Sequence, residues 1–591
     1  MIEKLQEVYN RHSKKINKIE KIKQESTPFE ALERLKENKL LDIDRGFFLK
    51  CFGCFYKDNT DDYMIRVRIK DGTITPNQAK KIGEIAKEFG DDYIDLTTRS
   101  QIEFRFIKEE NLYQVLQELE SVGIVTYQTG VDNFRGILTD PFSGISVSNI
   151  LDDRVLREKL EEEFLAKKDE VCALPRKFNI GICGNYKNTS NVFTQDLGFA
   201  LAKKDGEYGY RVFMGGRVGM IGKDSNIFVN TDEAVLLFRG VKELFKKYGF
   251  RDNRNKNRFI FLLREVGLEN FIKALEEYLD YEFKKGGELL TDIKINTHLK
   301  EELKNGKTAY KFIVPAGIFS GSDMIKAGEL AQNYEGVIKL SFDQNFFITN
   351  ADDSIEKSEL YKKYSPNPAR NYIVACAGIK TCKFGVIENK EDAINLSKDL
   401  ENEIKEDGVI KFHWSACVKG CGIHGVGDFG FEGAKIKTNE GMKIGVHIFV
   451  GGRSNREGKK VLSVPLDEVK SYVLPIIQMY NKSEGLTYEE WFIKSNITEW
   501  AAAFIMKFNA KYFEFLPSLP LKSNKIEMFE IKELGNSLFY KIAGVHAFDD
   551  LFNPSQVKSL KEFGYKDEIH KVIDNMVAGK YQVWSEVLAE I

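Results

Sequence analysis

Eight cysteines, at 51, 54, 172, 183, 376, 382, 417 and 421, are the side chains of this sequence best suited to redox or metal chemistry. Four stand out by arrangement: five residues separate Cys376 from Cys382, and three separate Cys417 from Cys421. Four thiolates in two pairs suit an iron–sulfur cluster, whose soft irons take sulfur ligands. Structural zinc is the rival, although its cysteine pairs usually enclose about two to four residues, so C-x5-C fits it less well. Gly420 and Gly422 flank Cys421, and Gly425 and Gly427 follow, letting backbone approach a bulky inorganic group closely. Cys51-x2-Cys54 has zinc-like spacing but no second pair nearby, and reads as structural. Cys172 and Cys183 stand alone and read as small buried hydrophobes.

A second group of candidates is cationic. In YMIRVRI (63–69), alternation sends Ile65, Val67 and Ile69 to the core and puts Arg66 and Arg68 on the other face. In DLTTRSQIEFR (95–105), the same parity groups Thr97, Arg99, Gln101, Glu103 and Arg105 opposite Leu96, Ile102 and Phe104. Arg135, Arg176 and Lys177 add charge from other segments. Guanidinium groups crowded on one surface repel each other unless an anion neutralises them. The competing reading is an ordinary solvated face.

The elements that position these groups come from an internal repeat. Residues 63–106 read as strand, Gly turn, helix and a second strand region. The helix has Thr75 as N-cap, Pro76 at its first position, Gly90 at its stop and an apolar stripe of Ala79, Ile82, Ile85, Ala86 and Phe89. Residues 310–350 repeat that order, with Met324, Ala327, Leu330, Ala331 and Tyr334 on the helix; Gly72 corresponds to Gly317 and Ile94–Phe104 to Ile338–Ile348. Further on, Cys183 lies five residues after Phe178 and Cys417 five after Phe412. Asp196-Leu-Gly-Phe199 matches Asp428-Phe-Gly-Phe431, and strands ending at Arg217 and Arg453 both close on Gly-Gly-Arg. The expected architecture is a duplicated α+β unit with pseudo-twofold halves near 46–285 and 300–482. The copies differ chemically: Arg66 and Arg99 become Lys311 and Asp343, while the cysteine quartet belongs to the second copy.

Bulk properties narrow the classes. At 591 residues the chain exceeds one hydrophobic core, and 42% hydrophobic with 30% charged residues reads as globular. A formal charge of −2 argues against a general nucleic-acid binder. No apolar run approaches the roughly 20 residues of a membrane helix, and the first 24 residues lack an apolar signal region, so a cytoplasmic location is expected. Leu5, Val8, Tyr9 and Ile16 suggest a charged surface helix at the N-terminus.

With these residues in view, the sequence resembles the sirohaem-dependent nitrite and sulfite reductases. CAGIKTC (376–382) with ACVKGCG (416–422) is similar to that family's C-x5-C … C-x3-C signature. The likeness runs through MIRVRIKDGTIT, DLTTRSQIEFR, GIVTYQTGVDNFRG, LPRKFN and both Gly-Gly-Arg strands, over roughly 46–482. It implies an internally duplicated α+β fold: ferredoxin-like half-domains at 46–148 and 300–352, a sirohaem and anion-binding domain at 149–285, and a 4Fe-4S and sirohaem domain at 365–482. Helical extensions at 1–45 and 483–591 lie outside it. The latter is read as packed covering, with donor docking as the alternative.

The resemblance further implies that Cys376, Cys382, Cys417 and Cys421 hold a 4Fe-4S cluster, with the Cys421 thiolate also axial to the sirohaem iron. Arg66, Arg135 and Lys177 match positions around the substrate; Arg99, Gln101, Arg105 and Asn179 match cofactor-binding positions. The chain departs from the family pattern at Ser100, Glu103, Gly136 and in CVKGC. The implied activity is six-electron reduction of nitrite or sulfite by a monomer, with ferredoxin or another external low-potential donor. Asn179, where sulfite reductases carry a second lysine, favours nitrite. A relative that binds sirohaem or metal without turnover is the alternative of another class.

Overall fold

Tyr63, Ile65 and Val67 are each at most 1% exposed, and this alternation sets the strand Asp62–Arg66 on the core. The strand pairs antiparallel with Ile102–Lys108, which pairs with Tyr93–Leu96, so Arg66 and Asp95 both lie opposite Glu103. The helix Pro76–Phe89 packs over this sheet. Thr75 caps it by accepting from the Gln78 N–H, Gln78 returns the bond to the Thr75 N–H, and Gly90 ends it.

The computed structural model describes residues 1–494, apart from 58–59, 218–219, 293–297, 439–440, 454–455 and 482. The chain divides into two compact units, Met1–Pro366 and Asn367–Ile591. Most of the expected C-terminal extension lies outside the described residues, which reach only the helix Tyr488–Lys494 there.

Within the first unit the repeat is visible in the backbone. Thr308–Phe312, Ile338–Leu340, Phe346–Ala351 and the helix Gly321–Asn333 repeat the first half's strands and helix. Asp71 and Ala316 both take φ of 51° just before Gly72 and Gly317. The halves also exchange edges. Ile318–Ser320 joins the first sheet beside Tyr93–Leu96, and Thr73–Ile74 joins the second beside Ile338–Leu340. Their helices touch through glycine: a Cβ on Gly83 would stand 2.4 Å from the Gly321 carbonyl oxygen. The repeat is thus interlocked here, and the gap between 285 and 300 does not separate two bodies.

The segment 93–106 corrects one expectation. It is a hairpin, because residues 97–101 form a turn closed by the Thr97 N–H on the Gln101 carbonyl at 3.0 Å. Thr97 Oγ1 accepts from the Arg99 and Gln101 N–H groups, and Ser100 has φ of 51°. A hydroxyl that satisfies backbone donors locally competes with the ladder. Arg99 and Gln101 therefore leave the sheet, while Glu103 and Arg105 stay on it.

Each unit contains one α/β layer. The first has the strands Ile180–Cys183, Leu197–Lys204, Glu207–Met214 and Lys223–Val229; the second has Ile373–Ala375, Phe412–Ser415, Phe429–Thr438, Gly441–Val450 and Lys459–Pro465. Ile180 pairs with Leu197 as Phe412 pairs with Phe429. Asp196 accepts from the Asn179 N–H and Asp428 from the Lys411 N–H, both at 2.8 Å. Asn191 and Ile423 are both left-handed, at φ 48° and 50°. This register equates Ile180 with Phe412, so Cys417 answers to Asn185 and Cys421 to Thr189. Equating Cys183 with Cys417 is two residues out, a slip that strand alternation conceals because it preserves the face.

The N-terminal segment is helical, over Ile2–His12, Lys18–Glu25 and Pro28–Lys36. Leu5 and Val8 are 0% and 1% exposed in the first α/β core, so the first helix is docked.

Candidate active site and metal centre

Arg66 ends its strand half-buried between a carboxylate and a ring. Its Nε donates to Glu103 Oε1 at 2.8 Å, a terminal nitrogen donates to the Thr129 carbonyl at 3.1 Å, and the guanidinium lies 4.8 Å from the Phe55 ring centre. Glu103 also accepts from Arg105 at 2.6 Å, and Arg105 Nε donates to Asp95 at 2.7 Å. Two cations and two carboxylates thus alternate across three strands. Arg105 is buried in that network. Arg68 does not share an open face with Arg66; its side chain is 1% exposed and donates to the Tyr127 and Phe134 carbonyls beside Glu161.

Arg99 and Arg135 differ: Arg135 is buried and Arg99 half-buried, and neither has a carboxylate partner among the described residues. Arg99 donates to Gln195 Oε1 at 2.8 Å and to the Gly136 carbonyl at 2.7 Å, leaving Nε unsatisfied. Burial, with Asp196 opposing and Arg258, Arg66 and Arg68 repelling, pushes it down to about 10. Arg135 spends one nitrogen on the Val131 carbonyl at 2.9 Å and leaves the other unsatisfied. Burial, then repulsion from Arg66 and Arg176, drives its pKa well down. A desolvated cation in this state calls for an anion.

Around these cations the backbone is firmly held. Gln101 bonds both backbone groups of Ile69, at 2.6 and 3.1 Å, which pins the turn that presents Arg99. The Phe178 carbonyl accepts from the Arg135 N–H at 2.9 Å, joining that arginine to the Lys177–Asn179 segment. Lys177 is half-buried. Asn179 is 1% exposed, and both polar atoms of its side chain lack a partner. An amide buried in that condition points to a missing ligand.

The second half has lost this character. Lys311 and Asp343, at the places of Arg66 and Arg99, form a buried pair at 2.5 Å. Replacing one of the two cations by a carboxylate lets that copy neutralise itself.

In the second unit, the strand Ile373–Ala375 delivers Cys376, and the turn after Phe412–Ser415 carries Cys417 and Cys421. Cys376 Sγ accepts from the Ala416 N–H at 3.3 Å and from Asn389 Nδ2 at 3.6 Å. Burial first, then the other three thiols of the quartet, pushes the Cys376 pKa up; Cys417 rises by burial and by Cys421 and Cys382. All four cysteines of the signature are therefore neighbours, and Cys421 is the most exposed. Among the described residues no three Cys, His, Asp or Glu side chains converge on a single ion. Four sulfur donors with N–H groups aimed at sulfur fit a multi-iron cluster.

The remaining cysteines are buried. Cys51 hydrogen-bonds with Cys172. Cys54 and Cys183 donate to nearby carbonyls.

For a polycarboxylate tetrapyrrole the first unit offers the right chemistry: Arg99 and Arg135 without a carboxylate partner, and unsatisfied side chains at Asn179, Asn188, Thr189 and Ser190. Sequence reasoning missed the carboxylates that organise this region. Asp132 accepts from Arg254 and also pairs with Lys23 and Arg176, while Asp196 holds Asn179 and Arg258. Asp196 carried a signal, since the repeat places Asp428 in the same role; Asp132 carried none.

Known proteins resemble this chain over most of its length. Residues 56–122 match the family described as nitrite/sulfite reductase ferredoxin-like half domain, and residues 130–283 match the nitrite and sulphite reductase 4Fe-4S domain. The second match falls on the first copy of the α/β layer, not on the quartet. A ferredoxin–nitrite reductase of Synechococcus elongatus is 30% identical over 467 residues, covering 75% of this chain and 91% of that protein. An assimilatory ferredoxin-dependent nitrite reductase of Haloferax mediterranei is 28% identical, covering 78% and 87%. The structure of the Mycobacterium tuberculosis NirA protein shares the fold, with a TM-score of 0.75 at 24% identity over 82% of this chain and 97% of that one. Interlocked halves, a one-sided cationic face and the sequence likeness converge, and the chain belongs to the nitrite and sulfite reductase family.

Proposed function

We propose that this protein reduces nitrite to ammonia with six electrons from an external low-potential donor of the ferredoxin class. One observation carries the reading: Arg135, buried, and Arg99, half-buried, have no carboxylate partner among the described residues, near Arg66 and a buried Asn179 amide with no partner of its own. The curated relatives named above, ferredoxin-dependent nitrite reductases, support the same substrate and donor. Sulfite is the second reading, since the family includes both reductases.

Cys376, Cys382, Cys417 and Cys421 would hold the 4Fe-4S cluster, and Arg99, with Asn179, would meet the sirohaem carboxylates. When bound, these groups would supply the electron path and an iron that takes the substrate. The chain's own residues do the rest. Arg66 and Arg135 neutralise the oxyanion, and their hydrogen bonds strengthen as charge moves onto oxygen. Glu103 and the Thr129 carbonyl hold Arg66 in place, and Gln101 fixes the turn behind Arg99. Lys177 delivers protons to the departing oxygens. Arg105 is assigned to the support of Glu103. Among the described residues no helix is long and apolar enough to cross a membrane; a cytoplasmic monomer is proposed.

Comparing kcat/KM for nitrite and sulfite in wild type and Asn179→Lys tests the substrate choice. Wild type should prefer nitrite, and the added ammonium should move the ratio toward sulfite, a dianion at alkaline pH. A wild type that prefers sulfite, or a ratio that does not move, removes Asn179 from that role.

A further inference from the structure

The internal repeat exposes a place where half of an ion pair is missing. In the first half, Asp95 and Arg105 fill one face of the sheet with a pair at 2.7 Å. Ile94 lies opposite Phe104, and Ile338 opposite Ile348, so Lys339 is the counterpart of Asp95 and Thr349 of Arg105. The second half therefore puts a cation where the first has a carboxylate, and a short hydroxyl where the first has a long guanidinium. Space opens as a result: both Lys339 and Thr349 line a cavity of about 760 Å³ within the first unit.

Lys339 is 5% exposed, and its ammonium donates to Thr73 Oγ1 at 2.7 Å. Among the described residues no carboxylate stands within ion-pair distance of it. The acids that act on it are bonded elsewhere: Asp71 accepts from Arg157 at 2.8 Å, Asp140 from Asn185 at 2.8 Å and Asp152 from Arg154 at 2.6 Å. Burial brings the lysine down to about 8 even though Asp71 opposes the shift. Buried charges are normally paired, so this one lacks an anion. Of the cavity's lining side chains, five are Lys or Arg and three are Asp or Glu, and Lys70 and Lys304 are exposed on its wall. Its volume falls in the range of about 300–1,000 Å³ usual for small-molecule sites. None of Arg66, Arg99, Arg135 or Lys177 lines it.

We propose that this cavity binds a phosphate-bearing anion, with the phosphate group taking the place of the missing carboxylate at Lys339. A phosphate can answer the ammonium together with Lys70 and Lys304 on the same wall, which a single carboxylate cannot do as fully. The two sources of this chemistry are an organic phosphate and free phosphate.

Isothermal titration of the full-length, cofactor-loaded protein with AMP and, separately, inorganic phosphate reads the site at constant ionic strength with nitrite saturating. Saturable binding of either probe is expected; tighter binding of AMP assigns an organic phosphate, and equal binding assigns the free ion. Lys339→Met, similar in length but uncharged, should weaken binding by about tenfold or more. Lys304→Ala, on the exposed rim, should weaken it a few-fold and decides the matter if Lys339→Met does not fold. No saturable binding of either probe, or affinities unchanged in the folded variants, overturns the proposal.

Discussion

Lys311 and Asp343 face each other inside the second half, 2.5 Å apart and no more than 3% exposed, at the two positions that Arg66 and Arg99 hold in the first. One pair of equivalent sites has thus closed on itself and the other has kept two cations. That asymmetry, in an otherwise repeated backbone, leaves the two cations of this pair of positions in the first half.

Arg66→Ala should retain iron and tetrapyrrole but lose transition-state stabilisation of about 2–4 kcal/mol, by analogy with removal of one oxyanion donor. Steady-state kinetics with a chemical reductant measures this. Wild-type kcat/KM would take Arg66 off the substrate.

Glu103→Gln removes the carboxylate that lies 2.6 Å from the Arg66 guanidinium. The face then gains one net positive charge, which favours a dianion over a monoanion. At pH 8 the ratio of kcat/KM for sulfite over nitrite should rise about tenfold. Equal losses with both substrates would mean that Glu103 only supports the sheet.

Cys417→Ser should purify with little iron and little acid-labile sulfide, since one of four thiolates is gone. Assays of both elements on protein prepared without oxygen decide it. A full complement of about four of each per chain would exclude Cys417 as a ligand.

Much of this was legible in the chain, and the failures have physical causes. Thr75, Pro76 and Gly90 placed one helix because capping chemistry is local, and Gly72 with Gly317 aligned the halves because both follow a left-handed residue. The turn at Thr97–Gln101 was hidden, since alternation alone cannot tell a long strand from a hairpin whose arms keep parity. The same periodicity disguised the two-residue slip that set Cys183 against Cys417. Asp132 was invisible because its partners Lys23, Arg176 and Arg254 come together only through folding. The quartet needed no such help: its spacing is carried by short turns.

His424 and His447 give the second unit a pH dependence. Burial pushes both down to about 4, His424 despite the Glu432 carboxylate at 3.4 Å. The folded chain keeps them neutral, whereas the unfolded chain takes up protons below about 6.5. Their contribution is full above that pH and is lost as pH falls from 6.5 toward 4. For His424 the loss is about 1 kcal/mol per pH unit over that interval. Thermal unfolding of wild type and His424→Gln from pH 7.5 to 5.5 should show the steeper decline in wild type; parallel curves would exclude this imidazole.

Counting electrons distinguishes a six-electron reduction of nitrite from any shorter one. Protein purified without oxygen is given nitrite and a measured amount of reduced ferredoxin, and ammonium is quantified against donor oxidised. Six-electron reduction gives one ammonium for every six electrons, with no free nitric oxide or hydroxylamine. Donor oxidation without ammonium, or a ratio well above six with nitric oxide or hydroxylamine released, would contradict it.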